Sequence, residues 1–571
     1  MLLAGMSVWS WLEAALTALL ALGLLLAASR HLWTLRWTLS RDRGSSLPLP
    51  KGSMGWPFFG ETLHWLVQGS SFHSARREKY GNVFKTHLLG KPVIRVTGAE
   101  NIRKILLGEH SLVSTQWPQS TQIILGANTL LNASGELHRH RRKILARVFS
   151  RAALESYLPG IQKVVSRELR GWCREPGSIA VYSSAKTLTF RVAARVLLGL
   201  SLEEKQFKDL AKTFEQLVEN LFSLPLNIPF SGLRKESAIE LIFAAFFTTA
   251  SASTSLILLL LKHPSATEKI RQELVSHDLN RQCHCLSPRV SQKKHPYSEP
   301  WEDAPKDSDS QQLLLSWPEG TPKNQSQKLD LKAEGEVEGR FIRQTPFQKE
   351  PTLNRMTQDT ISLNTNSHHS NHRQKEASQP PSRLSVPTGP MTPGAECDCQ
   401  PEINLEKLSR LRYLDCVVKE VLRVLPPVSG GYRTALQTFE LDGCQIPKGW
   451  SVMYSIRDTH ETAAVYQSPP ESFAPDRFDS ARQEDGQGAG RFHYIPFGGG
   501  VRSCIGKELA RAILKLLAIE LVRTARWELA TPSFPEMQTV PIVHPVDGLQ
   551  LFFHPLQPGG ASPSRQGSRE A

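Results

Sequence analysis

Residues 497–506 read Phe-Gly-Gly-Gly-Val-Arg-Ser-Cys-Ile-Gly, and the helical run KELARAILKLLAIELVR (507–523) follows at once. A lone cysteine is ordinarily a small buried hydrophobe, but Cys504 has unusual surroundings. Three consecutive glycines permit backbone dihedrals closed to other residues and let the chain approach a flat ligand closely. Main-chain N–H groups freed by such a turn can donate to the sulfur and tune its electron density. The positive end of the helix that begins just after Cys504 predicts a thiol shifted towards thiolate. Arg502, two residues earlier, offers a planar cation to a carboxylate.

Upstream, Glu420-Val421-Leu422-Arg423 places a carboxylate and a guanidinium on one helix face at i, i+3. Taken alone this is the spacing of an ordinary solvated ion pair. Pro475-Asp476-Arg477-Phe478 follows it, and Cys504 comes third. That order, and the 497–506 run, resemble the cytochrome P-450 monooxygenases, whose haem signature Phe-x-x-Gly-x-Arg-x-Cys-x-Gly is met at every specified position. The resemblance implies a mainly α fold with small β-sheets (α+β). It also implies haem b (iron protoporphyrin IX), with Cys504 as the axial thiolate of the iron and as a metal ligand whose electron donation favours O–O cleavage. Phe497 and Gly506 would flank it. Arg142, Arg433 and Arg502 would meet the haem propionates, and Glu420, Arg423 and Arg477 would form a buried structural network. Arg142 follows His138 by four residues, where the family usually has Trp. The basic run RHRRK (139–143) suits an acidic electron-donating partner, and equally an ordinary solvated helix face.

Residues 244–251, AAFFTTAS, match the family's distal helix, which implies Thr248 as the catalytic proton-relay residue. The usual acid position is Phe247, so proton delivery falls to the Thr248 hydroxyl and water. Longer stretches, among them GKPVIRVTGAENIRKILLGEH and PPVSGGYRTALQTFELDGCQIPKGWSVMYSIRDTHE, look like the retinoic-acid hydroxylase family, closest to its third vertebrate branch. That implies hydroxylation of all-trans-retinoic acid, chiefly at ring C4. Electrons would come from NADPH through a flavoprotein reductase. Trp117, Phe222, Pro427, Val428 and Gly431 would line an apolar pocket, with Arg95 as candidate for the retinoate carboxylate.

The N-terminus carries LEAALTALLALGLLLAA (12–28), close to the ~20 apolar residues a bilayer-spanning helix needs. No Lys or Arg precedes it, and Arg30, Arg36, Arg41, Arg43 and Lys51 follow. This predicts a single-pass anchor with the catalytic domain cytosolic, and by resemblance an endoplasmic-reticulum membrane. Trp33 and Trp37 are expected at the interface. The expected organisation is an anchor (1–29), a stiff Pro/Gly-rich linker (30–60), a helical part with the hairpin YGNVFKTHLLGKPVIRVTG (61–280), a polar insertion (281–400), a haem-binding part (401–556) and a tail (557–571). Helical apolar spacing is expected at 155–174, 201–222, 236–275, 401–425 and 505–524, with the distal helix itself at 236–262. Residues 286–396, dense in Ser, Gln, Asn, Pro, Lys and Glu, cannot bury enough apolar area to offset ordering their backbone. The pairs Cys283/Cys285 and Cys397/Cys399 depart from the usual Cys-x2-Cys zinc spacing.

The 571 residues hold 68 Lys+Arg, 54 Asp+Glu and eight Cys. Sparse cysteine argues against a disulfide-held scaffold, and mean hydropathy of −0.29 against a polytopic membrane protein. The excess of 14 positive charges has no nucleic-acid reader motif with it. One departure from the resembled family is large. After SGLRK (231–235) the chain passes directly to the distal helix, where the family has several helices. Two further readings follow: a relative acting on another apolar lipid, and an inactive product of altered splicing or a faulty gene model, with apolar faces of the distal helix left in water.

Overall fold

The computed structural model describes residues 8–280 and 401–556, apart from 70, 116, 118–128, 201–202, 222–236, 463–464, 467, 480–491 and 540–541. Phe222, both Cys-x-Cys pairs and the polar segment 286–396 lie outside the described residues.

The N-terminal apolar run folds as one helix, α1 (Val8–Leu39). Its segment Leu12–Leu39 is long and apolar enough to cross a membrane. It continues past residue 29 because residues 30–39 contain neither Pro nor Gly. Trp33 and Trp37, expected at a lipid interface, instead pack on the body: Trp33 Nε1 donates to the Met54 carbonyl at 3.1 Å, and Trp37 meets Trp450 edge-on at 5.8 Å. The Pro/Gly-rich stretch is no free spacer. The Lys51 carbonyl accepts from the Lys85 amide and the Pro48 carbonyl from the Gln445 amide, both at 2.9 Å, so 48–51 lies along the sheet that follows.

After α2 (Thr62–Gln68) and α3 (Ser71–Tyr80), β-branched alternation gives β1 (Val83–Leu88) and β2 (Lys91–Val96), paired antiparallel. The turn is Leu89-Gly90, at φ 50° and 76°, so Lys91 and Pro92 of the expected Gly-Lys-Pro turn already belong to β2. Then come α4 (Ala99–Leu107), β3 (Val113–Thr115), α5 (Gly135–Leu145), α6 (Arg151–Trp172), β4 (Ile179–Ala180) and α7 (Val181–Val192). The first part ends with α8 (Glu204–Leu221), α9 (Ser237–Lys262) and α10 (Pro264–Ser276). The distal helix, expected at 236–262, is α9, and the apolar spacing over 236–275 divides at His263 because Pro264 can open a helix but not continue one.

The second part opens with α11 (Leu405–Arg410) and α12 (Arg412–Val424), followed by β5 (Gly430–Ala435), the hairpin β6 (Phe439–Leu441) and β7 (Cys444–Ile446), β8 (Ser451–Ser455) and α13 (Ile456–Glu461). It closes with α14 (Lys507–Thr524), β9 (Ala525–Leu529), β10 (Met537–Gln538), β11 (His544–Pro545) and β12 (Gln550–Pro555). The largest sheet has order β1-β2-β8-β5-β3, with β2 and β8 parallel, so strands from both parts form one surface.

The core lies between α6, α7, α9, α10, α12 and α14. Every residue of α14 from Ala512 to Thr524 is buried, as suits a helix with apolar residues on all sides. From Phe246 onward α9 is buried too, Phe247 and Thr248 being half-exposed. The exposure expected for the distal helix is therefore not found there. α14 also buries Glu520, whose carboxylate accepts from Gln162 Nε2 at 3.0 Å, Ser166 Oγ at 2.8 Å and Arg523 Nη1 at 3.2 Å. Glu520→Ala would remove the carboxylate that meets the buried Arg523, at an expected cost of about 3–5 kcal/mol. The paired change of Glu520 and Arg523 to Met should cost less than the single one, as measured by urea denaturation.

Candidate active site

The Glu-x-x-Arg pair is among the most deeply buried charges of the described residues. Glu420, Arg423 and Arg477 are each no more than 1% exposed, which an unpaired charge could not tolerate. Arg423 Nε and Nη2 donate to the two Glu420 carboxylate oxygens at 2.8 and 2.9 Å. Arg477 Nε reaches Glu420 Oε1 at 3.0 Å, and the Ala474 amide donates to the same atom at 2.8 Å. Further guanidinium hydrogens, from Arg423 Nη2 and from Arg477 Nη1 and Nη2, go to carbonyls of Ser468, Pro469 and Ser472. Sequence order brought the three residues together, and they form one saturated network.

His460, which sequence reasoning missed, ties that network to the cysteine loop. Its Nε2 accepts from the Ile495 amide at 2.8 Å, so Nδ1 carries the proton and donates to the Arg423 carbonyl at 3.2 Å. Burial drives its pKa down to about 3. The signal in the sequence, a histidine within IRDTHE, is no different from that of a surface histidine.

The cysteine loop is shaped by close packing. A Cβ on Gly500 would lie 2.1 Å from the Leu106 carbonyl, and one on Gly499 3.1 Å from the Leu106 and Phe492 side chains. Gly498, at φ +66°, would meet nothing within 4 Å. Two of the three glycines thus admit the last turn of α4. The Cys504 amide donates to the Phe497 carbonyl at 2.9 Å, and the Gly506 amide hydrogen-bonds the sulfur. The expected shift towards thiolate is not what the loop alone produces: burial pushes the thiol up, against that hydrogen bond and the nearby Arg142 and Lys507.

Close packing against α4 also brings the arginines together. Arg433 Nε and Arg502 Nε both donate to Glu109, at 2.7 and 2.6 Å. Arg142 Nη2 donates to the Ser503 carbonyl at 2.7 Å. His110 Nε2 and His138 Nδ1 are buried without hydrogen-bond partners, their rings 5.5 Å apart. Burial and then Arg502 hold His138 at a pKa of about 4, which keeps a neutral donor among the cations. These residues fit a haem. The Cys504 residue is solvent-accessible although close protein atoms desolvate its thiol, and arginines with unpartnered imidazole nitrogens suit the propionates.

The family model described as cytochrome P450 matches residues 50–235 and 397–552, leaving 236–396 between its two blocks. The chain belongs to the cytochrome P450 family. It is 54% identical to human Cytochrome P450 26C1 over 98% of both chains, 53% identical to the mouse protein of that name and 43% identical to rat Cytochrome P450 26B1 over 97% of this chain and 96% of that one. The human alignment spans 609 positions against 571 residues here, so part of the relative has no counterpart in this chain. Among solved structures, retinoic acid-bound cyanobacterial CYP120A1 matches with a TM-score of 0.62 at 26% identity, covering 90% of this chain and all of that one. The chain is accordingly a haem-thiolate monooxygenase of mainly α fold with small sheets.

The expected pocket residues are dispersed over these elements. Thr248 is the accessible member of its pair, Thr249 being 6% exposed. Pro427 is buried, and Trp117, Val428 and Gly431 are half-buried. A Cβ on Gly431 would lie 2.5 Å from Tyr454 Oη. Arg95 is buried and pairs through Nη2 with Asp458 at 3.0 Å.

Two outcomes follow. Gly500→Ala should cost at least about 3 kcal/mol, from a positive φ and a backbone clash together, seen as a lower denaturation midpoint. His460 is neutral in the fold while the unfolded chain protonates near its ordinary 6.5, so its contribution is complete above pH 6.5 and is lost as pH falls towards about 3. His460→Gln, which can donate and accept at the same places, should flatten the urea midpoint against pH across that window.

Proposed function

We propose that this P450 hydroxylates all-trans-retinoic acid, chiefly at ring C4, and so clears retinoid signal, using O2 and electrons from NADPH delivered by a flavoprotein reductase. Arg95 carries the substrate assignment. It is 4% exposed, one guanidinium nitrogen is taken by Asp458, and Nε and Nη1 are buried without partners. Such atoms are costly unless a ligand or water satisfies them, and a carboxylate oxygen can accept a charge-assisted bond from either one. Strand pairing sets Arg95 in register with Met453 of β8, and Met453 with Tyr432 of β5. Tyr432 adjoins Gly431, an expected pocket residue. An apolar acid with its carboxylate at Arg95 is the ligand this row suits, and the retinoic acid-bound relative supports the class.

When bound, the haem supplies oxygen activation and insertion of one oxygen atom into a C–H bond. The chain's part is to hold it and to manage protons. Cys504 would hold the iron, and Arg142, Arg433, Arg502, His110 and His138 the propionates. The Thr248 hydroxyl, with Phe247 beside it, would hand on protons through water rather than from an adjacent carboxylate. Trp117, Pro427, Val428 and Gly431 would exclude water from the polyene.

The location we propose is the endoplasmic-reticulum membrane, with one crossing and a cytosolic catalytic domain. The apolar α1 supports it, and so do Phe58, Phe59, Leu63, Leu66 and Val67, which stand 63–86% exposed close to α1, Phe58 lying 6.0 Å from Trp33.

The full chain with a reductase, NADPH and retinoic acid should give a hydroxylated product and a thiolate-type Soret band on reduction under CO. Cys504→Ala should abolish both; product from that variant would sink the assignment. Arg95→Leu should weaken retinoate binding by about 1.5–3 kcal/mol and leave binding of the uncharged methyl ester nearly unchanged, as read by the substrate-induced Soret shift.

A further inference from the structure

We infer that Glu109 is a positioning residue for the haem, acting through Arg433 and Arg502. It lies in the turn between α4 and β3, 7% exposed as a residue, with its side chain only 1% exposed. Its carboxylate is saturated: Oε2 accepts from Arg433 Nε, and Oε1 accepts from Arg502 Nε at 2.6 Å and the Thr115 amide at 3.1 Å. Each arginine comes from a different element, Arg433 from β5 and Arg502 from the turn before Cys504.

The turn that carries Glu109 is tightly fixed. The Gly108 amide donates to the Lys104 carbonyl, a Cβ on Gly108 would lie 2.8 Å from that carbonyl and 2.9 Å from Leu112, and His110 adopts φ 72°. On its other side Gly500 rests on the Leu106 carbonyl. A rigid backbone therefore sets the carboxylate, and the carboxylate sets where two guanidiniums point. Without it, two neighbouring guanidiniums would lose the only carboxylate they share among the described residues, and their side chains would reorient.

The inference rests on the haem assignment and adds two consequences. Glu109 fixes the geometry in which the propionates are gripped, and its negative charge lowers the net positive charge beside the haem. Removing the charge while keeping the shape should loosen the haem and favour the reduced iron. Outer partners of metal-site residues typically change affinity by roughly 10- to 100-fold.

The experiment uses the full-length holoprotein and two readouts other than turnover: transfer of haem to apomyoglobin, and the iron reduction potential. For Glu109→Gln the expected result is haem transfer faster by roughly 10- to 100-fold with a potential above the wild type. Glu109→Asp, which keeps the charge and shortens the reach, should lose haem faster than wild type but hold a potential closer to it. Haem transfer and potential both unchanged in Glu109→Gln would overturn the proposal. If Glu109→Gln does not fold, Glu109→Asp decides, since wild-type transfer kinetics there overturn it and faster loss supports it. Wild-type protein without a Cys504-dependent Soret band on reduction under CO would instead overturn the haem assignment itself, and this inference with it.

Discussion

One carboxylate shared by two guanidiniums in a dry interior constrains the rest of the structure. Desolvating three charges is expensive, and the attraction among them repays the cost only when every donor and acceptor is placed. Around Glu420 that condition is met by the Ala474 amide and by carbonyls of 468–472. The segment 468–477 cannot shift without stranding a charge. Through His460, whose ring joins the Arg423 carbonyl to the Ile495 amide, the same constraint reaches the start of the cysteine loop. The network's bonds run to the 468–474 segment and, through His460, to the cysteine loop, which suits a role in holding the loop in one shape.

The site was legible in the sequence wherever a local pattern carries its own physics. Cys504 with its glycines and following helix, and the Glu420–Arg423–Arg477 order, could be read because spacing and residue type together restrict the chemistry. Glu109, His110, His460 and Asp458 could not. Each gains its role from a partner more than thirty residues away or from burial alone, and an acid or histidine in a loop looks the same whether solvated or enclosed. The glycines show the same limit. Their number was informative, but the reason for Gly500 is the Leu106 carbonyl, which only tertiary packing brings there.

At the level of elements, hydrophobic period gave most helices within a few residues, although the one expected over 401–425 divides at Leu411 into α11 and α12, and other misplaced ends have identifiable causes. Pro264 divided one helix, and the absence of a breaker extended another past residue 29. The hairpin turned one step early because Leu89 and Gly90 adopt the positive φ that the turn requires. The behaviour of Trp33 and Trp37 was beyond pattern reading. Tryptophan suits a lipid interface and a protein groove for the same reason, an apolar ring with one polar handle, and here the handle found the Met54 carbonyl.

The abrupt passage from Lys235 to the distal helix separates two questions that one fold usually joins. Glu109, Arg142, Arg433, Arg502, Cys504 and the Glu420 network all lie in the two blocks matched by the family model, and their partners lie there too. From Thr249 to Leu260 α9 is buried, with Thr189 of α7 donating to the Phe246 carbonyl at 3.1 Å and Ser251 bonded to the Val543 carbonyl. The residues that would grip the haem and the inner part of the distal helix thus have their supports in the chain as it stands. Two of the residues proposed to enclose the substrate differ in this respect, Phe222 lying outside the described residues and Trp117 at their edge. In the proposed function, haem retention and substrate discrimination draw on different stretches of sequence. Any deficit from the part of the human relative without a counterpart in this chain should show first in substrate affinity and only afterwards in the thiolate signature of the iron.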